Sequence, residues 1–211
     1  MLWGRLINSL PFLLKRIMKT AMNNRQHSMY GISLILAPLL QTISTFFWKN
    51  GEYGIAGGTI LMFSIAFFIP GLVSLFSLVK DRLPNYSAWG LLIAVFGFIS
   101  GANFAFLGVI AEIFNISHQS YIDGFAKYSV ASNLLLFQSG PLAPLSLIIL
   151  GIVLLRTKSV DSLLCILIIL GGIAFPLSRI SRTLWIAHTA DLLLLIPLAI
   201  IGMRILDRNK N

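Results

Sequence analysis

A short stretch near the C-terminus, RISRTLWIAHTAD (179–191), concentrates side chains that could do chemistry. Arg179 and Arg182 carry guanidinium groups, which bind carboxylates and phosphates through a fork of N–H donors. His188 and Asp191 lie three residues apart, a spacing that places both on one face of a helix. Together these residues could hold an anion or handle protons. Because the stretch leads into an apolar run, its ionisable residues are candidates for an intramembrane functional site.

The elements that must position these residues are membrane-spanning helices. Of 211 residues, 57% are hydrophobic and 11% are charged, whereas soluble domains have about 25% charged residues. Four stretches contain no Asp, Glu, Lys or Arg: 28–48, 53–79, 83–111 and 128–155. Each exceeds the roughly 18 residues that indicate a span, and 162–178 and 184–203 are shorter or singly interrupted candidates. The sequence predicts an all-α polytopic membrane protein.

We predict one transmembrane domain over 22–211, preceded by a basic amphipathic segment, 1–21. Six spans are expected, at about 30–48, 54–79, 88–112, 130–155, 161–178 and 184–206. Tyrosine and tryptophan side chains lie at or beside these boundaries, as is typical of residues at the level of lipid headgroups. The bilayer is therefore the expected environment.

Alternate connections differ in their content of Lys and Arg, which predicts the orientation. The connections on one side of the membrane, counted together with both termini, contain twelve such residues, and the connections on the other side contain four. The positive-inside bias places both termini in the cytoplasm. This bias also accounts for the net charge of +9 without nucleic acid as a partner.

Segment 1–21, MLWGRLINSLPFLLKRIMKTA, has three interpretations. Leu6, Leu10, Leu13 and Ile17 recur at helical spacing, which is typical of an amphipathic helix on the anionic inner leaflet. A mitochondrial presequence is a second interpretation, because the segment is basic and free of acids. A third is that translation begins at Met22. A cleaved signal peptide is disfavoured, since no small-residue cleavage site follows.

Two motifs bear on how the spans pack. Gly97, Gly101 and Ala105 form a ridge of small residues in the third span, which lets helix backbones approach closely. In QSGPLAP (138–144), Pro141 and Pro144 each remove a backbone N–H donor from the fourth span. Either this span is a broken helix beside a site, or it has a simple proline kink, which we favour.

With these elements in place, the polar residues of the spans converge on the outer leaflet. Eight of them form a predicted pocket: Asp191, His188, Arg182, Arg179, Glu112, Gln138, Asn133 and Asn103. Asp191 is expected to pair with Arg182 or Arg179, and His188 and Gln138 to complete its hydrogen bonds. The alternative is a purely structural network that pins the last two spans together.

The segment SRTLWIAHTAD (181–191) resembles the third signature of the phosphatidic acid phosphatase type 2 family: S-R, five residues, H, three residues, D. The resemblance implies a phosphate-binding Arg182 and a nucleophilic His188 oriented by Asp191. Here the aspartate comes one position early, and the K-x6-R-P and P-S-G-H signatures are missing. An enzyme acting on lipid phosphates is therefore a disfavoured alternative.

The runs GPLAPLSLIILGIVLLR (140–156), GGIAFPLSRI (171–180) and ADLLLLIPLAIIGMRIL (190–206) resemble small bacterial integral membrane proteins of unknown function. This resemblance implies a six-helix bacterial membrane protein, which we expect in the inner membrane, and no particular activity. We expect a non-catalytic protein whose pocket holds a lipid, a small molecule or a partner. The alternative is a small proton- or ion-coupled transporter that uses Asp191 and His188. No cofactor or metal is expected, because the one cysteine and three histidines show no ligand spacing.

Overall fold

In a computed structural model, residues 2–49 and 52–208 are described, with side chains over 24–49, 52–117 and 119–207. The elements are α1 (Leu2–Thr45), α2 (Ile55–Ser77), α3 (Pro84–Ile113), α4 (His118–Lys127), α5 (Ser129–Ser132), a π-helical turn (Asn133–Phe137), α6 (Leu142–Thr157), α7 (Ser162–Ser181) and α8 (Leu184–Arg208). The predicted all-α class is confirmed. The amphipathic face expected for 1–21 lies outside the described side chains and stays a prediction.

Six helical segments are long and apolar enough to cross a membrane: Asn24–Thr45, Ile55–Ser77, Pro84–Ile113, Ser129–Thr157, Ser162–Ser181 and Leu184–Asp207. Their outer surfaces carry large apolar side chains, and Phe63, Trp89 and Leu163 are each more than 60% exposed. Such a surface is stable in acyl chains and would aggregate in water. The chain is an integral membrane protein with six spans, as predicted.

The six spans pack as a closed ring. Going round it, α1 contacts α2, α2 contacts α3, α3 contacts α6, and α6, α7 and α8 follow until α8 contacts α1. Buried apolar side chains from all six helices join in one core, in which Phe76, Leu150, Ile168 and Leu198 are at most 1% exposed. The first and last spans are therefore neighbours, although they lie at opposite ends of the sequence.

Glycine permits a close approach of α1 and α8. A Cβ atom added to Gly202 would lie 2.6 Å from the backbone oxygen of Gly31, and one added to Gly31 would lie 2.8 Å from that of Gly202. Because lipid supplies no hydrophobic drive between helices, such backbone contact contributes directly to association through van der Waals packing. This pair secures one end of the α1–α8 seam.

The fourth span is interrupted rather than merely kinked. It consists of α5, the π-helical turn, four turn residues ending at Pro141, and α6. Side chains of α3 bind the interrupted backbone: Ser100 donates to the carbonyl of Leu135 at 3.0 Å, and Asn103 donates to the same oxygen at 3.2 Å. Backbone irregularity inside a bilayer requires such protein partners. The favoured kink interpretation thus gives way to a broken helix whose carbonyls are satisfied by a neighbouring span.

The small-residue ridge of α3 lies at this break. A Cβ atom on Gly97 would overlap the backbone nitrogen of Ala143 and come within 2.8 Å of the carbonyl carbon of Leu142. At Gly101 the nearest atom outside the helix is a methyl carbon of Ile65, at 3.6 Å. An alanine side chain at position 97 would therefore clash with the backbone of α6, whereas one at position 101 would fit.

Gly97→Ala is expected to lower the free energy of unfolding by about 1–3 kcal/mol, because α6 presents backbone that cannot rotate away. Gly101→Ala is the matched control, and we expect it to be neutral or to stabilise by up to about 1 kcal/mol through helix propensity. Thermal unfolding in detergent measures both changes. Equal behaviour of the two alanine variants would contradict the close α3–α6 packing.

Candidate functional site

The carboxylate of Asp191 is the most deeply buried charged group among the described residues. It lies seven residues into α8, roughly 10 Å along the helix axis, and its residue is 0% exposed. Gln41 donates to Oδ1 from Nε2 at 2.9 Å, and Thr45 donates to Oδ2 from its hydroxyl at 2.6 Å. A polar residue of α8 is thus joined to two polar residues of α1.

Sequence reasoning did not identify Gln41 and Thr45 as partners of Asp191. Their spacing of four places both side chains on one face of the last turn of α1, and both are buried. The segment QTIST contains the signal, since four uncharged polar residues interrupt an otherwise apolar run. Nothing in that run indicates which helix they face.

Arg179, near the end of α7, is the nearest cation to Asp191. Its Nη2 atom is 3.9 Å from Oδ1, an ion pair without a hydrogen bond, and its side chain is 20% exposed. The guanidinium lies instead against aromatic rings, 4.3 Å from the centroid of Trp48, 4.4 Å from that of Phe175 and 5.4 Å from that of Tyr53. Cation–π attraction stabilises a desolvated guanidinium by up to about 2 kcal/mol per ring. We call these three rings the aromatic cage.

The aromatic cage leaves several donors unused. All three guanidinium nitrogens of Arg179 are buried and have no hydrogen-bond partner among the described residues, and the same is true of the Trp48 indole nitrogen. Burial raises the pKa of Tyr53 to about 12, so the phenol beside Arg179 stays neutral well above physiological pH. Unpaired buried donors cost about 1–3 kcal/mol each, and more when they are charged. The cage is therefore rich in buried donors, and the Asp191 carboxylate lies 3.9 Å from one of them.

A second layer of charges lies outside the cage, at what we call the Glu52 end of the bundle: the connections 46–54, 114–128 and 182–183. Glu52 accepts a hydrogen bond from the Tyr121 hydroxyl at 3.1 Å and forms an ion pair with Arg182 at 3.5 Å. Burial, followed by the charge of Glu52, raises the pKa of Tyr121 to about 12. The Tyr121–Glu52 hydrogen bond holds α4 against the connection between α1 and α2.

Glu112 completes that layer from the end of α3. Its carboxylate accepts a hydrogen bond from Lys49 at 2.8 Å and a short one from the backbone N–H of Ile55. It therefore caps an exposed donor at the N-terminus of α2, where a negative charge is favourable. Gly54 leaves room for the Glu112 carboxylate, because a Cβ atom at position 54 would overlap Oε2. The φ of Gly54, +37°, is also a backbone conformation that favours glycine.

The structure places seven of the eight predicted residues in three groups, and His188 lies outside these groups. Asp191 and Arg179 come together in the interior, and Arg182 and Glu112 lie in the outer charge layer. Asn103, Asn133 and Gln138 lie at the interruption of the fourth span. There Asn133 accepts from the backbone of Gln138 at 2.8 Å, and the Gln138 side chain is exposed. Hydrogen bonds from Gln41 and Thr45 take the place expected for Gln138 at Asp191.

His188 lies beside the interior pair without joining it by a hydrogen bond. Its ring packs against Phe46 with centroids 4.4 Å apart, and no hydrogen bond of its side chain is found within the described part of the chain. Arg182 is likewise engaged with Glu52 rather than with the Asp191 carboxylate. These contacts give no support to a phosphatase arrangement, in which the aspartate orients the histidine.

Taken together, these groups are suited to binding rather than to bond cleavage. Arg179 and Trp48 could donate to an anion, and Asp191 balances one positive charge. Among the described residues, no three His, Cys, Asp or Glu side chains are grouped so that they could hold a metal ion. No protein-family model matches the chain, and comparisons with curated proteins and with solved structures find no similar protein.

Thr45→Val removes the hydroxyl donor to Asp191 while keeping a β-branched side chain. We expect the free energy of unfolding to fall by about 1.5–3 kcal/mol, the usual worth of a hydrogen bond to a charged group. Thr42→Val is the matched control on the same helix, because Thr42 donates only to the backbone of Pro38, at 2.9 Å.

Unfolding in detergent measures both valine variants, alone and combined with Asp191→Asn. Thr45→Val and Asp191→Asn should show a coupling of at least about 0.5 kcal/mol, as residues in direct contact do. Thr42→Val should be additive with Asp191→Asn. Additivity of both valine variants would mean that Asp191 does not depend on α1.

Proposed function

We propose that the protein is a non-catalytic binding protein of the membrane, and that its ligand carries an anionic group. The observation that carries this proposal is the set of unused buried donors on Arg179 and Trp48. A buried polar group without a partner is uncommon in native proteins and requires a physical reason. Here an acceptor from outside the chain would supply the missing partner.

The chemistry of the donors selects the class of ligand. A guanidinium presents its N–H groups as a planar fork that fits the two oxygens of a carboxylate or a phosphate. Asp191 is a weak competitor for that fork, because its oxygens already accept from Gln41 and Thr45 and its closest oxygen is 3.9 Å from Arg179. A singly charged anion would bind between the Arg179 guanidinium and the outer Glu52–Arg182 ion pair without expelling Asp191.

The position of Arg179 favours a ligand at headgroup depth. The residue lies two positions before the end of α7 at Ser181, within one turn of the membrane boundary. From the distribution of Lys and Arg we further propose that both termini are cytoplasmic, and from the resemblance to small bacterial membrane proteins that the membrane is a bacterial inner membrane. The Glu52 end then faces outward, and the anion belongs either to an outer-leaflet lipid or to a soluble molecule.

Arg179→Lys is expected to weaken anion binding by about 10–100-fold, because a point charge replaces the forked donor. The lysine keeps a positive charge beside Asp191, so the fold should survive. Arg182→Lys is the matched control in the exposed layer, and its effect should stay within about threefold, as expected of an exposed ion pair. Native mass spectrometry of the delipidated protein, titrated separately with phosphatidylglycerol, inorganic phosphate and acetate, measures binding.

These probes distinguish the two sources of the anion. Saturable binding of phosphatidylglycerol alone indicates a lipid headgroup at this site if Arg179→Lys weakens it, and binding of phosphate or acetate that Arg179→Lys weakens indicates a soluble ligand. Equal losses in Arg179→Lys and Arg182→Lys would instead assign the effect to general surface charge. If no probe binds the folded wild-type protein, or if Arg179→Lys binds as well as wild type, the proposed site is wrong.

A second candidate function is proton- or ion-coupled transport, with Asp191 and His188 as the handling groups. The interruption of the fourth span favours it, because broken helices border the substrate sites of many carriers. The buried carboxylate of Asp191 supplies a group that a coupling ion could use.

If the protein is such a carrier, Asp191→Asn should abolish uptake driven by a pH gradient in reconstituted vesicles, because the asparagine cannot exchange a proton. His188→Ala should reduce it, and Thr42→Val should leave it unchanged. Uptake that is the same in wild type and in Asp191→Asn would exclude this candidate. Melting temperatures of all variants separate lost transport from lost folding.

A further inference from the structure

A groove of about 480 Å³ lies at the opposite end of the bundle, between the ends of three spans. It is formed by α1 near Gln26, where the first span begins, by the connection after α2 near Lys80 and by the start of α3 near Pro84. We call this the Lys80 groove. It shares no residue with the aromatic cage, so it is independent of the proposed function at the Glu52 end.

The lining of the Lys80 groove has an apolar part and a polar part. Val73 and Leu91, both half-buried, supply apolar surface, and the buried ring of Phe76 lies behind them. At the other side are Lys80 and His27, both exposed. Aliphatic surface beside a cation matches a molecule that carries an acyl chain and a negative headgroup.

The polar groups of the groove are free to contact such a headgroup. In the part of the chain that the structure describes, the Lys80 ammonium and the His27 imidazole make no hydrogen bond or ion pair. Gln26 donates to the hydroxyl of Tyr30 at 2.7 Å, which leaves the hydroxyl proton of Tyr30 available. The Ser87 hydroxyl, by contrast, already donates to the carbonyl of Phe76 at 2.9 Å. An ammonium, an imidazole and a phenol thus remain for the oxygens of a phosphate.

We propose that the Lys80 groove binds an anionic glycerophospholipid, with the headgroup phosphate at Lys80 and His27 and an acyl chain along Val73, Ala88 and Leu91. Charge complementarity and the apolar lining both favour a lipid over a soluble anion, which would leave that apolar surface uncovered. The location fits as well, because the groove lies where α2 ends at Ser77 and α3 begins at Pro84, the level at which headgroups meet spanning helices.

The test is native mass spectrometry of the delipidated full chain, titrated with phosphatidylglycerol and with phosphatidylcholine of the same acyl chains. Lys80→Gln should lower the phosphatidylglycerol affinity about fivefold, the usual worth of one Lys near an anionic surface, and leave phosphatidylcholine unchanged. Lys158→Gln is the matched control, since Lys158 lies at the same end of the bundle, in the connection after α6 and outside the groove lining.

A second variant tests the groove without changing charge. Ala88 lines it and is exposed, so Ala88→Phe should fill it and reduce binding of both lipids with little effect on folding. Three results would each overturn the proposal. The first is an equal loss of binding in Lys80→Gln and Lys158→Gln, and the second is no effect of Ala88→Phe in a folded protein. The third is full competition by glycerol phosphate. Arg179→Lys should leave the Lys80 effect intact, which separates this groove from the aromatic cage.

Discussion

The fold depends on how a buried carboxylate is stabilised inside a membrane. Asp191 cannot be hydrated where it lies, so its two oxygens need donors from neighbouring helices. Gln41 and Thr45 provide them from α1, and Arg179 provides a positive charge from α7. These contacts join the last span to the first and to its own predecessor. At the other end of the α1–α8 seam, Gly31 and Gly202 bring the two backbones together, so the ring is closed by polar contacts at one end and by close packing at the other.

The position of Arg179 differs from the one expected if its only role were to neutralise Asp191. A guanidinium that only neutralised Asp191 would be most stable with direct hydrogen bonds to the carboxylate. Instead it lies at 3.9 Å, held by three aromatic rings, with its donors unused. Cation–π contacts stabilise its charge without occupying its N–H groups. The same arrangement therefore keeps the arginine in place and leaves its N–H groups without a partner among the described residues, as the proposed anion site requires.

The two ends of the bundle differ in how their charges are arranged. At the Glu52 end, opposite charges are paired across connections, as in Glu52 with Arg182 and Glu112 with Lys49. These pairs organise α4 and the start of α2 above the interior site. At the other end, Lys80 borders an apolar groove without a partner among the described residues. Paired charges fix connections, whereas an unpaired cation beside apolar surface is suited to a lipid.

The sequence alone determined the class of the protein and its six spans, because a run of about 20 apolar residues must satisfy its own backbone in a bilayer, and this is a local property. It also singled out Asp191 and Arg179, since charges in such runs are rare. Only the tertiary structure decided the partners: Gln41 and Thr45 lie 150 and 146 residues from Asp191 and carry no charge. Arg182, expected beside Asp191, adopts a left-handed conformation that ends α7 and pairs with Glu52 instead. Which helices become neighbours depends on the closure of the whole ring, and no local pattern encodes it.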